Sequence, residues 1–351
     1  MIKRAIVKHF KGLSDFEVGD LAQVTLIGGR NNVGKTSFLE ALFLVLDRLN
    51  PDSFLRQHRW RGIEIEHMNP DSIWVPMFSM YQTEQPIEIR LIEENGQESI
   101  LTLKMMGSLS NLSKAIDSGG NQGTRPYLDM TYQPDSTATE KIQQIIEPKG
   151  SGIAIDSTKA GTVQKPGFII TASGRLTPQE SAIHFGKLEI ADKHHEVIDF
   201  LRETVEPRLR GLSTIAVGNQ SLIHAQLEGF SRKIPIAYLG DGMARLLSVI
   251  LVISNTSDDC VFIDEIENGI HYSAMPKVWL GIVKAAQRFN CQVFATTHSY
   301  ECLQAAVQGL TEDVRDQFCY VRLDRNGDRV VGTTYDYEVL SAALEQNWEV
   351  R

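Results

Sequence analysis

The chain has 351 residues, of which 42% are hydrophobic and 23% charged, and these fractions are ordinary for a globular protein. Its formal net charge of −9 argues against a protein that binds nucleic acid through its whole surface. No apolar run reaches the ~18 residues that a membrane span needs, and the N-terminus lacks the apolar core of a secretory signal. The sequence therefore predicts a cytoplasmic protein with no membrane partner, long enough for two domains.

The first segment predicts two strands and a buried helix. Apolar and polar residues alternate over Arg4–Phe10, a turn follows at Lys11-Gly12, and a further strand covers Val24–Ile27. A helix is predicted from about Lys35 to Leu49. Because apolar residues surround this helix on nearly all sides, it should be buried against a sheet.

The segment between this strand and this helix matches the pattern G-x-x-x-x-G-K-S/T, in the strand–loop–helix context of a nucleotide phosphate loop. Backbone N–H groups of such a loop surround the β- and γ-phosphates, helped by the helix N-terminus. Lys35 is expected to contact the phosphate oxygens and the Thr36 hydroxyl to bind Mg²⁺. The residues predicted to bind the nucleotide here are Gly29, Asn31, Asn32, Val33, Gly34, Lys35, Thr36 and Ser37.

A short arginine-rich segment, Phe54–Gly62, follows the predicted helix and contains Arg56, Arg59 and Arg61. Two interpretations are open. The segment is either a solvated loop or a local basic patch that contacts DNA or another partner.

The middle of the chain has a different composition. A hairpin is predicted over Ile87–Leu103, where strand-like runs flank Asn95-Gly96. Residues 107–126 and 147–167 are rich in Gly, Ser, Thr and Pro and predict loops, and residues 181–212 predict helix. We therefore divide the chain into a first lobe at 1–105, an insertion with a helical part at 106–230, and a second lobe at 231–351.

An acidic motif lies in the second lobe, in the sequence CVFIDEIENGIH. Four apolar residues lead into Asp264 and Glu265, which places both carboxylates at the C-terminal end of a buried parallel strand, where ligands bind in open α/β sheets. Asp264 is expected to hold Mg²⁺ through water, and Glu265 to polarise the attacking water.

Two further motifs complete the candidate site. The apolar strand CQVFATTHS ends at His298, which could reach the γ-phosphate, although a neutral core histidine is the alternative. Gly240-Asp241-Gly242 precedes an apolar helix and offers N–H groups and a positive helix end. A plain helix cap would explain these glycines. The more specific hypothesis is that Gly240 and Gly242 bind the γ-phosphate of a nucleotide held by another protomer.

The four cysteines, Cys260, Cys291, Cys302 and Cys319, form no C-x-x-C pair. In a reducing compartment such residues are usually small core hydrophobes. They are predicted to be buried, with no structural zinc site. A second hairpin around Asn326-Gly327 is predicted to end the fold.

In this order, the motifs resemble the ABC-type ATPase head, and Phe10-Lys11 is similar to the aromatic-basic pair of the SMC and RecF-type heads. The resemblance is greatest to the OLD-type ATPases of bacterial phage-defence systems, whose motifs read much like GRNNVGKTS, FIDEIENGIH and FATTHS. It covers about residues 1–105 and 230–351. It implies an α/β, ABC-ATPase-like P-loop NTPase head with antiparallel β-hairpins and a mid-chain insertion. It also implies catalytic roles for Glu265, His298 and Lys35, Mg²⁺ ligation by Thr36 and Asp264, and a loop over Asn268–His271 that crosses to a second head.

The chain departs from the family pattern in three ways. The signature reads LGDGM, with Asp241 where a hydroxyl or glycine is expected. The glutamine that usually bridges metal and water has only two candidates, Gln57 and Gln82. The Toprim nuclease domain of full-length OLD nucleases is not seen after His298, so nuclease or toxin activity is expected to reside in another polypeptide.

The resulting hypothesis is a Mg²⁺-dependent ATPase that binds ATP in a homodimer or higher oligomer and controls a separate Toprim nuclease or toxin in anti-phage defence. The first alternative is a RecF-like ATPase of DNA repair or recombination that grips DNA itself. A non-hydrolysing scaffold, a transporter subunit and a GTPase are further alternatives.

Overall fold

The computed structural model of the protein describes residues 1–48, 50, 53–61, 63, 70–107, 126–137, 141–149, 152–157 and 168–350. The chain forms two compact units. The first comprises Met1–Asp20, Asn31–Gly167 and Leu323–Thr333, and the second comprises Leu21–Arg30, Phe168–Arg322 and Thr334–Arg351. The chain therefore passes between the units within the phosphate loop, after Arg30.

The strands, in chain order, are β1 Ile2–Phe10, β2 Leu13–Val18, β3 Val24–Gly29, β4 Ile87–Glu93, β5 Glu98–Met106, β6 Tyr127–Gln133, β7 Ile142–Lys149, β8 Gly152–Ser157, β9 Phe168–Ile170, β10 Leu209–Val217, β11 Gln220–Leu227, β12 Ile234–Pro235, β13 Cys260–Ile263, β14 Gln292–Thr296, β15 Phe318–Asn326 and β16 Arg329–Asp336. The α-helices are α1 Lys35–Leu46, α2 Ser53–Trp60, α3 Pro70–Ile73, α4 Pro178–Ile190, α5 His194–Thr204, α6 Asp241–Asn255, α7 Met275–Arg288, α8 Tyr300–Gly309 and α9 Tyr337–Glu345.

The first unit is built on a seven-stranded antiparallel sheet in the order β2-β1-β4-β5-β6-β7-β8. Along β4, Ile87, Ile89 and Leu91 are buried and alternate with more exposed residues, as a strand with one covered face requires. The hairpin predicted around Asn95-Gly96 is confirmed by the pairing of β4 with β5.

Helix α1 belongs to the first unit and is buried from Phe38 to Val45. The prediction that it is apolar on nearly all sides is confirmed, but it ends at Leu46 and not at Leu49. Asp47 is its C-terminal cap, and the Asp47 carboxylate accepts a hydrogen bond from the Ser53 hydroxyl at 2.8 Å. This contact links the end of α1 to the start of α2.

The predicted loop over 147–167 is wrong in part. Strand β7 continues to Lys149, and β8 at Gly152–Ser157 pairs with it in antiparallel register. Ile153 and Ile155 give β8 a two-residue apolar period, which the surrounding glycine and serine residues obscure in the sequence. Nearly all of the other predicted loop, 107–126, lies outside the described residues.

The second unit contains the strands β3, β14, β13 and β9 of the sheet ordered β16-β15-β3-β14-β13-β9. Within it, β3, β14, β13 and β9 run parallel to one another, so their carboxyl ends share one edge. The predicted buried parallel strand before Asp264 is confirmed as β13, whose four residues are all buried. Ligands bind at this edge in open parallel sheets.

Helices and a smaller sheet complete the second unit. The strands β10, β11 and β12 form an antiparallel three-stranded sheet. The helix predicted over 181–212 is observed as α4 and α5, but the prediction is wrong at its end because β10 begins at Leu209. Thr177 and Glu180 form a reciprocal capping box at the start of α4. The region assigned to an insertion thus contributes elements to both units, and the division at 105 and 230 remains a prediction.

All four cysteines are buried thiols that form no disulfide with one another, which confirms their prediction as core residues. Burial raises the pKa of the Cys291 and Cys302 thiols to about 12, so both remain protonated at neutral pH. Within the described ranges, none of the helices combines the length and hydrophobicity required to span a bilayer.

Candidate nucleotide site

The phosphate loop has the backbone geometry of a tightly wound turn. Gly29, Asn32 and Gly34 have φ angles of 128°, 60° and 111°, the left-handed range that favours glycine and asparagine. Gly34 immediately precedes α1, whose first turn holds no acidic residue. The first N–H groups of a helix have no intrahelical acceptors, so this end suits an anion.

The predicted loop residues occupy this turn and the start of α1. Asn31 and Asn32 are exposed, Val33 is buried, and Gly34 is half-buried. A side chain at Gly34 would also place Cβ 3.1 Å from Leu13 Cδ2, so glycine is favoured by space as well as by φ. Lys35, Thr36 and Ser37 form the half-buried beginning of α1. Their roles toward phosphate and metal stay predictions.

The acidic pair lies at the carboxyl end of β13, in the second unit. Glu265 has a φ of 49°, an uncommon conformation for a residue with a side chain. The Thr296 hydroxyl accepts a hydrogen bond from the Glu265 backbone N–H at 2.9 Å and donates to Asp264 Oδ1 at 2.6 Å. One hydroxyl at the end of β14 therefore fixes both members of the pair.

His298 lies beside this pair, also within the second unit. Its Nδ1 is 3.6 Å from Glu265 Oε1 and 3.3 Å from Glu267 Oε1. Asn268 Nδ2 donates to Glu265 Oε2 at 2.6 Å. The fold thus brings Asp264, Glu265 and His298 to one edge of the parallel strands. The sequence had predicted only that each of them follows the end of a strand.

The signature-like helix adjoins the same turn. Gly240, with a φ of 101°, precedes α6, which begins at Asp241. A Cβ on Gly242 would lie 2.4 Å from the Gly269 carbonyl oxygen, so only glycine permits this close approach. Asp241, the departure noted in the sequence, forms an exposed ion pair with Arg175 at 2.8 Å. The binding of nucleotide by Gly240 and Gly242 stays a prediction.

Arg245 is a buried residue of this site that the sequence reasoning missed. Its Nη1 donates to the carbonyl oxygens of Thr171, Ala172 and Gly174 at 2.9–3.1 Å. Its Nη2 donates to the carbonyl oxygens of Asp264 and Glu265, both at 2.9 Å. Burial lowers the pKa of Arg245 despite the nearby carboxylates. The one signal in the sequence was an arginine within an otherwise apolar helix.

Arg245 explains how the strained Glu265 conformation persists. Residues in sparsely populated φ/ψ regions cost on the order of 1–3 kcal/mol and persist only when their surroundings fix them. Glu265 is fixed at its N–H by Thr296 and at its carbonyl by Arg245. Because Arg245 lies on α6, the signature-like helix and the acidic turn are tied to each other directly.

The two candidate bridging glutamines lie in the first unit. Gln57 is buried, and its Oε1 accepts from Lys11 Nζ at 3.1 Å. Gln82 is exposed and follows a 3₁₀ turn at Ser79–Tyr81. Gln57 is therefore part of the packing around α1, and the identity of the bridging glutamine stays open.

The arginine-rich segment is α2 and the residue after it. Arg56 Nη1 pairs with Asp47 Oδ2 at 3.0 Å, and Arg61 makes a two-pronged contact with Glu40 at 2.8 and 2.9 Å. Arg59 is exposed. Two of the three guanidinium groups thus hold the first unit together, which favours a structural role over a DNA contact.

Comparisons with known families match both parts of the chain. Residues 1–159 match the family described as "AAA ATPase domain". Residues 166–303 match the family described as "AAA domain, putative AbiEii toxin, Type IV TA system". An "ATP/GTP phosphatase" of Helicobacter pylori is 23% identical over 98% of each chain. An uncharacterized protein of Methanocaldococcus jannaschii is 30% identical over 33% of this chain and 53% of its own length.

Solved structures show the fold. An SMC head bound to the C-winged helix domain of ScpA has a TM-score of 0.52 at 12% identity, covering 96% of this chain and 98% of the other. An SMC head with an extended coiled coil, bound to the C-terminal domain of ScpA derived from Pyrococcus furiosus, has a TM-score of 0.51 at 10% identity, covering 99% of both. The protein has the fold of an ABC-type P-loop NTPase head. The family matches and the H. pylori relative support a nucleotide-hydrolysing enzyme.

Proposed function

We propose that this protein is a Mg²⁺-dependent ATPase that dimerises around ATP and controls a separate nuclease or toxin in anti-phage defence, as a cytoplasmic protein. The observation that carries the proposal is the meeting of Asp264, Glu265 and His298 at the carboxyl edge of the parallel strands, beside the start of α6. The defence role is supported by the resemblance to OLD-type ATPases. The words "putative AbiEii toxin" in one matching family description add to that support.

The chemistry is an in-line attack of water on the γ-phosphate. Glu265 orients the water, and its fixed backbone provides the positioning from which most of the rate would come. His298 contacts the γ-phosphate, and Lys35 binds phosphate oxygens. Loss of the γ-phosphate removes the ligand that His298 contacts.

The predicted metal ligands fit Mg²⁺ by their chemistry. Thr36 offers a hydroxyl oxygen and Asp264 a carboxylate oxygen, and Mg²⁺ prefers hard oxygen donors shared with substrate phosphates. The bound ion would neutralise charge on the phosphates. Thr296 supports this assignment because it holds Asp264 by Oδ1 at 2.6 Å and so orients the carboxylate.

Dimerisation is supported by the exposure of the surface around α6. Tyr238, which precedes the signature-like glycines, is 82% exposed, and Tyr272, which follows the acidic turn, is 71% exposed. Large exposed aromatic side chains are enriched at protein interfaces. A second copy that binds its own ATP would cover this surface and receive the N–H groups of Gly240 and Gly242.

The first experiment measures phosphate release from ATP and from GTP, with and without Mg²⁺. Wild type is expected to hydrolyse ATP only with Mg²⁺, and Glu265→Gln is expected to lose at least about 100-fold in kcat. Glu312→Gln, an exposed carboxylate distant in sequence, is the matched control. Phosphate release by Glu265→Gln at the wild-type rate would refute the catalytic assignment.

A second experiment tests assembly and role. Light scattering of Glu265→Gln should show a doubled mass with ATP and Mg²⁺, and an unchanged mass would refute the ATP-dependent dimer. Cells carrying the gene with its neighbours should resist phage, and Glu265→Gln should abolish that resistance. ATP-stimulated DNA binding that weakens steeply with salt, together with unaltered phage growth, would instead favour the RecF-like alternative.

A further inference from the structure

Asn268 follows Glu265 by three residues in the acidic turn, and the proposed chemistry gives its side chain no role. Its Nδ2 donates to Glu265 Oε2 at 2.6 Å and to the Ala172 carbonyl oxygen at 3.2 Å. Because an ionised carboxylate and a carbonyl both only accept, the amide atom that faces them is the nitrogen and not the oxygen. Both N–H bonds of this amide group are therefore used within the protein.

The contact with Asn268 leaves the second oxygen of the Glu265 carboxylate for a ligand. Glu265 Oε1 accepts no hydrogen bond from the residues that the structure describes. Its separation from His298 Nδ1, 3.6 Å, is an ion-pair distance and exceeds the length of a hydrogen bond, about 2.7–3.2 Å. The Glu265 side chain is 38% exposed, so water can reach it. A donor on Oε2 restricts rotation of the carboxylate and leaves Oε1 to accept from a water molecule.

Asn268 is itself held by the buried part of the site. The Ala172 carbonyl that accepts from Asn268 Nδ2 also accepts from Arg245 Nη1 at 3.0 Å. The Asn268 backbone N–H donates to the Glu265 carbonyl at 3.1 Å, and this carbonyl accepts from Arg245 Nη2 at 2.9 Å. Arg245 thus fixes both backbone carbonyls that Asn268 contacts. A side chain whose own position is locked by such contacts can hold a catalytic group in a defined orientation.

We infer that Asn268 is a positioning residue that binds Oε2 of Glu265 and thereby directs Oε1 toward the attacking water. The inference rests on the proposed function, because Asn268 acts through the carboxylate that is assigned to catalysis. A packing role would require only the volume of the side chain, whereas this role requires a donor at Nδ2. Aspartate has nearly the volume of asparagine but no donor when ionised, so Asn268→Asp and Asn268→Ala distinguish the two roles.

The first test measures phosphate release by both variants with ATP and Mg²⁺. Asn268→Ala loses the donor, so its kcat should fall about 10-fold while KM changes less than about 3-fold. Asn268→Asp places a second carboxylate against Glu265, and each opposes the ionised form of the other, so kcat should fall about 100-fold. An aspartate variant that is more active than the alanine variant would show that volume is what matters and would overturn the inference.

Asn255, at the C-terminal end of α6, provides the matched control. Its Nδ2 also donates to two acceptors, the carbonyl oxygens of His184 at 3.2 Å and Leu251 at 2.8 Å. Asn255→Ala therefore removes the same number of side-chain hydrogen bonds without changing a contact of Glu265, and it should retain the wild-type kcat. Equal losses of kcat in Asn255→Ala and Asn268→Ala would refute a specific role for Asn268.

A double-mutant cycle with Glu265→Gln tests whether Asn268 acts through the carboxylate. Single-turnover rate constants are compared, because they do not depend on the fraction of protein that is folded. Adding Asn268→Ala to Glu265→Gln should change the rate constant by less than about 2-fold. A further loss of about 10-fold would mean that Asn268 acts by another route and would overturn the inference.

The same measurements separate this inference from the proposed function. Wild type that hydrolyses no nucleotide would refute the proposed function and the inference together. Hydrolysis that is lost in Glu265→Gln but kept at the wild-type rate in Asn268→Ala would refute the inference alone.

Discussion

Buried carboxylates are treated differently in the two units. In the first, Glu40 on α1 is almost fully buried and its carboxylate binds cations, with Lys11 Nζ at 2.6 Å from Oε2 and the Arg61 guanidinium on both oxygens. In the second, Glu265 and Glu267 meet an amide, a hydroxyl and an imidazole. The cation available there, Arg245, donates to backbone carbonyls instead.

The Glu40 carboxylate stabilises the fold through its ion pairs. The carboxylates of Glu265 and Glu267 instead keep a charge that can act on a ligand. Burial acts to raise the pKa of Glu40, but Lys11 and Arg61 outweigh it and lower that pKa below its ordinary value. The charge of Glu40 is therefore neutralised within the protein. Hydroxyl and amide donors orient a carboxylate without cancelling its charge, which leaves that charge for a metal ion, a water molecule or a nucleotide.

The largest effect is expected from Arg245→Ala. The change removes five hydrogen bonds to backbone carbonyls, of which those of Thr171, Ala172 and Glu265 keep a second donor. It also releases the strained Glu265, so it should cost about 5 kcal/mol or more in unfolding free energy. Urea unfolding measures this loss. Arg245→Lys, which keeps the charge but not the forked geometry, should fold and still lose ATP hydrolysis. Wild-type hydrolysis by the lysine variant would show that the forked contacts are dispensable.

Glu40→Gln should cause the next largest loss of unfolding free energy. Removing one partner of a buried ion pair leaves Lys11 and Arg61 uncompensated and costs roughly 3–5 kcal/mol. Glu88→Gln, which breaks a more exposed pair with Arg90 at 2.8 Å, should cost less than about 1 kcal/mol. Thermal or urea unfolding of both variants checks the comparison. Similar losses would remove the distinction between the two kinds of carboxylate.

Thr296→Val should have the opposite profile, with a large kinetic effect and a small effect on stability. The change preserves volume but removes the hydroxyl that bonds Asp264 and Glu265, so phosphate release should fall about 100-fold. The unfolding free energy should drop by only about 1–2 kcal/mol. Thr311→Val, at an exposed position, is the control and should retain the wild-type rate. A stability loss as large as that of Glu40→Gln would contradict the assignment.

The smallest expected effect is a loss of stability at acid pH, caused by protonation of Glu40. Because the folded-state pKa of Glu40 is lowered, its contribution is complete above the unfolded carboxyl value, about 4.3, and is lost as the pH falls toward the folded pKa. Urea midpoints from pH 6 downward should therefore decline more steeply for wild type than for Glu40→Gln below about pH 4.3. Parallel declines would mean that Glu40 is not the group responsible.

Much of the fold follows from local pattern. The hairpin around Asn95-Gly96, the apolar helix after Gly34 and the buried strand before Asp264 were all predicted, because turn residues and apolar periodicity act over a few residues. The strand β8 and the start of β10 were missed. Both lie among glycine, serine or charged residues, and their strand conformation comes from pairing with a neighbour rather than from their own sequence.

The sequence by itself determined the chemical types at the site. A glycine-rich loop before Lys35 and Thr36, and carboxylates after an apolar strand, carry that information in consecutive residues. Only the tertiary structure decided how they are held. Arg245, Thr296 and Glu267 act through hydrogen bonds to residues far away in the chain, and parallel strands order those contacts at one edge of a sheet. Hydrogen bonds of that kind depend on long-range packing and cannot be predicted from a short stretch of sequence.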